Sequence, residues 1–240
     1  LLGGLVWGGD AHLNISLDRA DLWDLRPAAR YGTDGYRWSD VQRLVAERKE
    51  DSLHIRFDDP YDRIAYPTKL PGGRIVLTLD STRSARCFAL DLRRAEATVE
   101  LTRGAVRGVF SATDSVALFT VPGLREVRIV RPASLNQLGY APATLGGDGP
   151  DSLRFRWMEQ RTIDGLRYVV AVGTRTRDTL TTIAITIATS GDGSAPLTIA
   201  RGRIARALRQ GYTNLSARHV EWWGRYWRSV ASLTVTDSAL

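Results

Sequence analysis

Short runs of alternating or β-branched residues recur at intervals of about ten residues through the first 200 positions, with turn residues between them. With one exception, no helical pattern separates consecutive runs, which favours antiparallel pairing. The runs outnumber the strands of an ordinary open sheet, so we expect a mainly β chain with two large antiparallel sheets facing one another. The predicted strands are 12–17, 53–57, 75–79, 87–92, 98–101, 106–111, 116–121, 127–130, 153–157, 168–174 and 179–189.

The exception is a short surface helix, for which Ser39 to Gln42 fits a capping box and Val41, Leu44 and Val45 supply an apolar stripe. Glycine and proline predict a turn over 146–150. The chain has one cysteine, Cys87, which excludes an internal disulfide and a cysteine metal cluster. In this β-rich setting we expect that thiol to be buried.

Composition excludes a disordered or membrane-spanning chain, and the positions of the arginines show where the positive charge lies. Hydrophobic residues make up 43% of the 240 positions, which excludes a disordered chain, and no apolar run approaches the roughly 20 residues of a membrane span. The net charge is +7, and residues 201–230 hold seven arginines against one glutamate. The basicity is therefore a local feature of the C-terminal part rather than a general nucleic-acid-binding surface.

The pattern becomes helical after residue 200. Ile204, Ala205 and Leu208 share one face of a helix that Gly211 is placed to end. A second helix is predicted from about Ser216, and its apolar stripe lies opposite several arginines. The stripe consists of His219, Trp222, Trp223, Tyr226 and Trp227. Side chains of this size need several hundred Å² of partner surface, so we expect a docking helix.

Three interpretations compete for this helix: a base-stacking surface flanked by arginines, a membrane-interface helix, and a buried strut between domains. Adjacent Trp222 and Trp223, followed by Trp227 at helical spacing, favour the strut. We therefore expect neither a nucleic acid nor a membrane as partner.

Catalytic motifs are missing from the sequence. It contains no phosphate-binding loop, no Gly-x-Gly-x-x-Gly turn, no nucleophile elbow and no His-Glu-x-x-His. His12, His54 and His219 are far apart in the chain, so we expect no metal site and no cofactor.

A ring flanked by two carboxylates is the one candidate binding motif. Asp21 and Asp24 flank Trp23, and proteins often hold sugars by stacking a ring on the pyranose face while carboxylates accept hydroxyl hydrogen bonds. The alternative is that Trp23 belongs to the core and the aspartates are turn or cap residues.

Several phrases resemble the N-terminal domain of glycoside hydrolases similar to family 95 (α-L-fucosidase-like) and family 65. They are Leu-Leu-Gly-Gly-Leu-Val-Trp-Gly-Gly-Asp at 1–10, His-Leu-Asn-Ile-Ser-Leu-Asp at 12–18, Asp-Leu-Trp-Asp at 21–24, Ala-Leu-Asp-Leu-Arg-Arg-Ala-Glu-Ala-Thr-Val at 89–99 and Val-Phe-Ser-Ala-Thr-Asp-Ser-Val at 109–116. The stripe His-x-x-Trp-Trp-x-x-Tyr-Trp-x-x-Ser at 219–229 is similar to the family's linker helix.

The resemblance implies a galactose-mutarotase-like β-supersandwich over 1–200, then helical linkers and the start of a missing (α/α)6 barrel over 201–240. The barrel would carry the catalytic acids, so the parent protein is expected to hydrolyse O-glycosyl bonds while this chain has no assignable catalytic residue. Asp21, Trp23 and Asp24 would be substrate-binding. Residues 219, 222, 223, 226 and 227 would pack between domains.

The partners implied are the barrel of the same polypeptide and an oligosaccharide, in a periplasmic or secreted protein. Two alternatives remain open at this point. One is a non-catalytic carbohydrate-binding or structural sandwich, and the other is a polyanion-binding module that uses the C-terminal arginines.

Overall fold

Two antiparallel sheets form most of the structure, a computed structural model that describes residues 2–27, 36–59, 65–148 and 153–230. The described strands, in chain order, are β1 (Leu2–Gly9), β2 (His12–Arg19), β3 (Trp23–Asp24), β4 (Thr68–Lys69), β5 (Gly73–Leu79), β6 (Ala85–Asp91), β7 (Glu96–Leu101), β8 (Ala105–Phe110), β9 (Ala117–Pro122), β10 (Leu124–Val130), β11 (Thr144–Asp148), β12 (Leu153–Arg161), β13 (Arg167–Arg177) and β14 (Leu180–Thr189). The described helices are α1 (Trp38–Ala46), α2 (Glu50–Leu53), a π-helical turn (His54–Asp58), α3 (Ser134–Gln137) and α4 (Pro196–Ser229).

The smaller sheet has the strand order β1-β2-β5-β10, and the larger has the order β11-β12-β13-β14-β9-β8-β7-β6. Strands β3 and β4 form a separate short ladder. The predicted class, a mainly β protein with large antiparallel sheets and a C-terminal helix, is confirmed.

The centre of the larger sheet is buried on both faces. On β14, Ile183, Ile185 and Ile187 belong to the core between the sheets, whereas Ala184 and Ala188 pack in a second core with α4. Alternation of side chains along a strand therefore sends large residues to one face and small ones to the other. This explains why residues 180–189 read as a continuous Thr, Ile and Ala run rather than as an apolar–polar alternation.

Small side chains on the outer face of this sheet allow α4 to approach closely. A Cβ added at Gly173 on β13 would lie 2.3 Å from Cγ2 of Ile204. Ile204, Ala207 and Leu208 of α4 are buried against the sheet. The first part of α4 therefore completes the core of the sandwich.

The predicted strand over 53–57 is wrong, because α2 and the π-helical turn occupy this segment. Three apolar residues in alternation (Leu53, Ile55 and Phe57) are too few to distinguish a strand from a short helical segment. The acidic Glu50 and Asp51 in the first turn favour the helical outcome.

The predicted turn over 146–150 is wrong over its first three residues, because Gly146, Gly147 and Asp148 lie within β11, and positions 149–150 fall outside the described residues. A Cβ at Gly146 would lie 2.4 Å from Cζ2 of Trp157, the residue opposite it on β12, so glycine makes room for the indole ring. The expected burial of Cys87 is also wrong. Its strand, β6, is the edge of the larger sheet and is exposed on both faces.

The predicted helix break at Gly211 is confirmed, because φ of 77° and ψ of 166° at this residue separate helical segments 196–210 and 212–229 within α4. The first segment begins at Pro196, which falls in the first turn, where proline is well tolerated. The proposed division at residue 200 therefore lies inside a helix that packs on the sheet. The second segment starts before the predicted Ser216.

Replacing Gly211 with alanine should destabilise the protein by about 1–3 kcal/mol, since only glycine readily adopts this combination of φ and ψ. No atom would lie within 4 Å of the new Cβ, so backbone strain alone is tested. Gly202→Ala is the matched control, because Gly202 is helical, exposed and equally unobstructed. That change should stabilise the protein by about 0.5–1 kcal/mol. Urea unfolding measures both, and an equal effect of the two substitutions would contradict the break.

Candidate functional site

Asp24 lies buried in an internal cluster that fixes the segment after β2. Its side chain is 1% exposed. Arg26 donates to its carboxylate at 2.6 Å, and the Tyr140 hydroxyl donates at 2.7 Å. Burial alone would raise the pKa of Asp24, but the hydrogen bonds from Arg26 and Tyr140 hold that pKa below its ordinary value. Asp24 is thus an ionised group that holds the loop from inside.

The Arg26 guanidinium extends this cluster. It lies 3.9 Å from the ring centroid of Tyr66 and donates to the carbonyl of Leu138 at 3.0 Å. Burial raises the pKa of Tyr140, and the charge of Asp24 raises it further. The Tyr140 hydroxyl therefore stays protonated and remains a donor to Asp24.

Asp21 and Trp23, in contrast, face solvent. Side-chain exposure is 47% for Asp21 and 42% for Trp23, so the interpretation of Trp23 as a core residue is wrong. The indole Nε1 donates to the Ala20 carbonyl at 2.9 Å, and Lys69 Nζ lies 5.7 Å from the ring centroid. An exposed ring and a carboxylate thus lie on one short segment, and the ammonium group of Lys69 lies opposite the ring across the β3–β4 ladder. Substrate binding by Asp21, Trp23 and Asp24 stays a prediction, in which Asp24 acts by holding the loop.

A partly buried ion cluster beside Asp21 was not predicted from the sequence. Asp192 accepts from Arg19 at 2.5 Å and from Arg203 of α4 at 3.1 Å, and it also accepts from the Thr189 amide at 2.9 Å. Burial would raise the pKa of Asp192, but these donors lower it far below its ordinary value. The cluster joins β2, the loop after β14 and α4. In the sequence, Asp192 stands in a Gly-Asp-Gly-Ser phrase that indicates only a turn.

His219 anchors the second segment of α4 on the sandwich. It is 1% exposed, its Nδ1 accepts from the Ala112 amide at 3.2 Å, and its Nε2 lies 3.0 Å from the Ala95 carbonyl. These contacts assign the proton to Nε2. Burial lowers the pKa of His219, which favours this neutral form. Both ring nitrogens are therefore occupied within the sandwich itself.

Three further contacts fix the same segment to the turns of the larger sheet. The Tyr212 hydroxyl donates to Glu96 at 2.8 Å, and burial together with the charge of Glu96 raises the pKa of Tyr212. Arg218 pairs with Asp114 at 2.9 Å. Trp227 Nε1 donates to the Leu92 carbonyl at 2.9 Å. The segment is therefore held at several points along its length.

The aromatic side chains beyond His219 form one cluster. The rings of Trp222 and Tyr226 stack 5.6 Å apart with an interplanar angle of 7°, and the ring of Trp223 meets both edge-on at 5.2 Å. Tyr226 and Trp227 remain exposed, at 40% and 43%. Within the part of the chain that the structure describes, the buried Nε1 of Trp223 has no hydrogen-bond acceptor. The cluster is therefore only partly covered by the sandwich.

This cluster borders an apolar cavity of about 640 Å³, here named the aromatic groove. The groove lies between β1, at the edge of the smaller sheet, and β6–β8 of the larger sheet. Large exposed apolar side chains from both edge strands line it, namely Leu5, Phe88 and Leu90. Trp222, Trp223 and Tyr226 close one part of the wall. An apolar concavity of this extent on a protein surface is typical of an interaction site.

Among residues 2–27, 36–59, 65–148 and 153–230, no group of three or more His, Cys, Asp or Glu side chains is placed to hold a metal ion. Within the same ranges, no helix combines the length and apolar character needed to cross a membrane. The chain matches no protein-family model, and no curated protein matches it significantly.

Proposed function

We propose that this chain is the N-terminal accessory domain of a glycoside hydrolase. Its sandwich would support a catalytic (α/α)6 barrel of the same polypeptide and would line part of the sugar pocket. The parent protein would hydrolyse O-glycosyl bonds with carboxylates that belong to the barrel. The observation that carries the proposal is the aromatic groove with its partly exposed Trp222, Trp223, Tyr226 and Trp227 cluster.

The edge strands beside the groove support a covered surface. Strand β6 presents Phe88 and Leu90 on the same face, since they are two positions apart, and both side chains are exposed. An uncovered edge strand with large apolar side chains favours aggregation, and proteins normally protect such edges with another element. A second domain packed against β6 and the aromatic cluster would cover this edge and prevent such aggregation.

The geometry of α4 supports a partner from the same polypeptide. Segment 196–210 is part of the sandwich core, and the break at Gly211 turns segment 212–229 onto the groove. Trp227 then binds the turn after β6, so the end of the helix lies beside the groove. A domain that follows this helix would meet the groove at a high effective concentration.

The test uses Leu90→Glu in the natural polypeptide that carries this chain. Leu90 is 61% exposed in the groove, so a charge there is harmless unless a partner buries it. Under the proposal, the substitution buries an unpaired charge and lowers both the melting temperature and the hydrolysis of aryl glycosides by the natural polypeptide. Leu180→Glu is the matched control, since Leu180 is also exposed, at 45%, and does not line the groove.

In the 240-residue chain alone, both substitutions should change the free energy of unfolding by about 0.5 kcal/mol or less. The proposal is contradicted if Leu90→Glu and Leu180→Glu have the same small effect in the natural polypeptide, or if that polypeptide hydrolyses no glycoside.

The exposed ring of Trp23 favours one alternative, a carbohydrate-binding module that acts without a barrel. Lys69 lies 5.7 Å from this ring and Asp21 stands two positions before it, so both offer polar partners for sugar hydroxyls in addition to their ion pairs with Asp18 and Arg19. This alternative expects the 240-residue chain to bind neutral oligosaccharides, with binding abolished by Trp23→Ala. The accessory-domain proposal expects binding at this wall only when the barrel completes the pocket.

A further inference from the structure

A second cleft lies on the flank of the sandwich opposite the aromatic groove. It opens between β10, the far edge of the smaller sheet, and the face of β11–β14 that is turned toward that sheet. Two adjoining cavities of about 620 and 200 Å³ form it, and both are lined by Arg154 and Arg156. We name this feature the arginine cleft.

Four arginines give the cleft its charge. Arg154 and Arg156 occupy alternate positions of β12, on the same face as Met158, which is buried between the sheets. Arg125 and Arg128 reach the cleft from β10. These side chains therefore converge on the opening between the two sheets.

Carboxylates neutralise this charge only in part, although Glu126 and Asp148 line the cleft and Asp80 interacts electrostatically with Arg125. Glu126 lies 3.8 Å from Arg128, and Asp148 pairs at 2.9 Å with Arg201 of α4, which does not line the cleft. In the described ranges, no carboxylate lies within ion-pair distance of Arg125, Arg154 or Arg156. Unpaired arginines gathered in one concavity create a strongly positive potential that attracts anions.

The rest of the lining supplies hydroxyl groups at one end and apolar side chains at the other. Thr174, Thr176 and Thr181 lie beside the arginines, and the hydroxyls of Thr176 and Thr181 are 3.0 Å apart. The other end of the cleft is lined by the apolar side chains of Ile129, Leu145, Phe155 and Trp157. Gly146 of β11 leaves room there for the Trp157 indole. The larger cavity falls within the range of about 300–1,000 Å³ that is typical of small-molecule sites.

We propose that the arginine cleft binds a carboxylate-bearing oligosaccharide, such as a short uronic-acid chain. Arginine binds carboxylates through two parallel hydrogen bonds, and threonine hydroxyls suit the hydroxyls of a sugar. The anionic character of the ligand follows from the cleft itself. Its identity as a sugar rests on the proposed function. The same guanidinium groups would also bind a phosphate ester, because carboxylate and phosphate oxygens accept the same paired hydrogen bonds from arginine.

The experiment is calorimetric titration of the 240-residue chain with trigalacturonate, with the neutral trisaccharide of the same linkage, with inorganic phosphate and with an oligothymidylate. The neutral trisaccharide should bind at least tenfold more weakly than trigalacturonate, and equal binding of the two would contradict recognition of the carboxylates. Trigalacturonate should bind, and each of Arg154→Gln and Arg156→Gln should weaken binding about tenfold or more, since each removes a charge-assisted contact. Arg86→Gln is the matched control. Arg86 is exposed on β6, does not line the cleft and carries the same charge. It should leave the affinity unchanged.

Every other outcome overturns the proposal in a defined way. Equal weakening by Arg86→Gln would show diffuse surface charge instead of a site. Inorganic phosphate that competes at the same concentration as trigalacturonate, or an oligothymidylate that binds more tightly, would replace the sugar with a phosphate ligand. Absence of binding at millimolar trigalacturonate would remove the site. The aromatic groove lies on the opposite flank, so Leu90→Glu tests the accessory-domain proposal separately from these titrations.

Discussion

Asp24→Asn should destabilise the protein by about 3–5 kcal/mol, whereas Asp21→Asn, three positions earlier, should cost less than about 1 kcal/mol. Asp24 is buried and accepts from Arg26 and Tyr140, so the neutral amide would leave the partly buried Arg26 guanidinium without its counter-charge. Asp21 is half exposed and pairs with Arg19, which keeps Asp192 as a second partner. Urea unfolding monitored by circular dichroism measures both.

The two aspartates flank the same tryptophan, so they are a matched pair in sequence. Equal losses of stability would contradict the assignment of Asp24 as the group that holds this loop. Tyr140→Phe removes one donor and should cost about 1–2 kcal/mol, which locates the larger loss in the pair with Arg26.

The second large effect is expected for Asp192→Ala, which should lower the free energy of unfolding by about 3–5 kcal/mol. Removing this carboxylate leaves Arg19 and Arg203 without their shared partner and releases α4 from β2. Asp148→Ala is the control, because the pair between Asp148 and Arg201 is about half exposed on both sides and should contribute about 1 kcal/mol or less.

Acid provides an independent measurement of the same cluster. The pKa of Asp192 is lowered in the folded protein from an ordinary value of 3.8, so the unfolded chain binds the proton more tightly. The stabilisation is therefore complete above about pH 5 and is lost as the pH falls through the ordinary pKa and below it. The loss of stability between pH 5 and pH 3 should be smaller in Asp192→Ala than in the unmodified chain. An unchanged acid profile would contradict the role of this carboxylate.

Local patterns are sufficient to predict the sandwich and the break at Gly211, because strand alternation and glycine conformation are properties of short segments. Strand β1 escapes prediction for a reason that is not local. A Cβ at Gly4 would lie 2.5 Å from the ring of Phe110, so this strand carries glycine where the other sheet supplies the side chain. The sequence of β1 alone therefore does not indicate a strand, because its glycines are explained only by the position of Phe110 in the folded protein.

The candidate site shows the same limit. The sequence does not distinguish Asp21 from Asp24. Leu138 and Tyr140, which contact the pair of Asp24 and Arg26, lie far along the chain. The aromatic stripe from His219 to Trp227 was predictable from helical spacing, but the occupation of both His219 nitrogens by the turns at Ala95 and Ala112 was not. Alternating arginines on β12 resemble an ordinary solvent-exposed face until β10 is placed opposite them.

The central claim is that another domain of the same polypeptide covers the aromatic groove, and hydroxyl-radical footprinting tests it most directly. The natural polypeptide and the 240-residue chain would be oxidised in parallel and the modified side chains quantified by mass spectrometry. The account predicts that Leu90, Tyr226 and Trp227 react several-fold more slowly in the natural polypeptide than in the 240-residue chain. Trp38 is exposed and does not line the groove, so it should react equally in both. Equal reactivity of Leu90, Tyr226 and Trp227 in the two proteins would contradict the account.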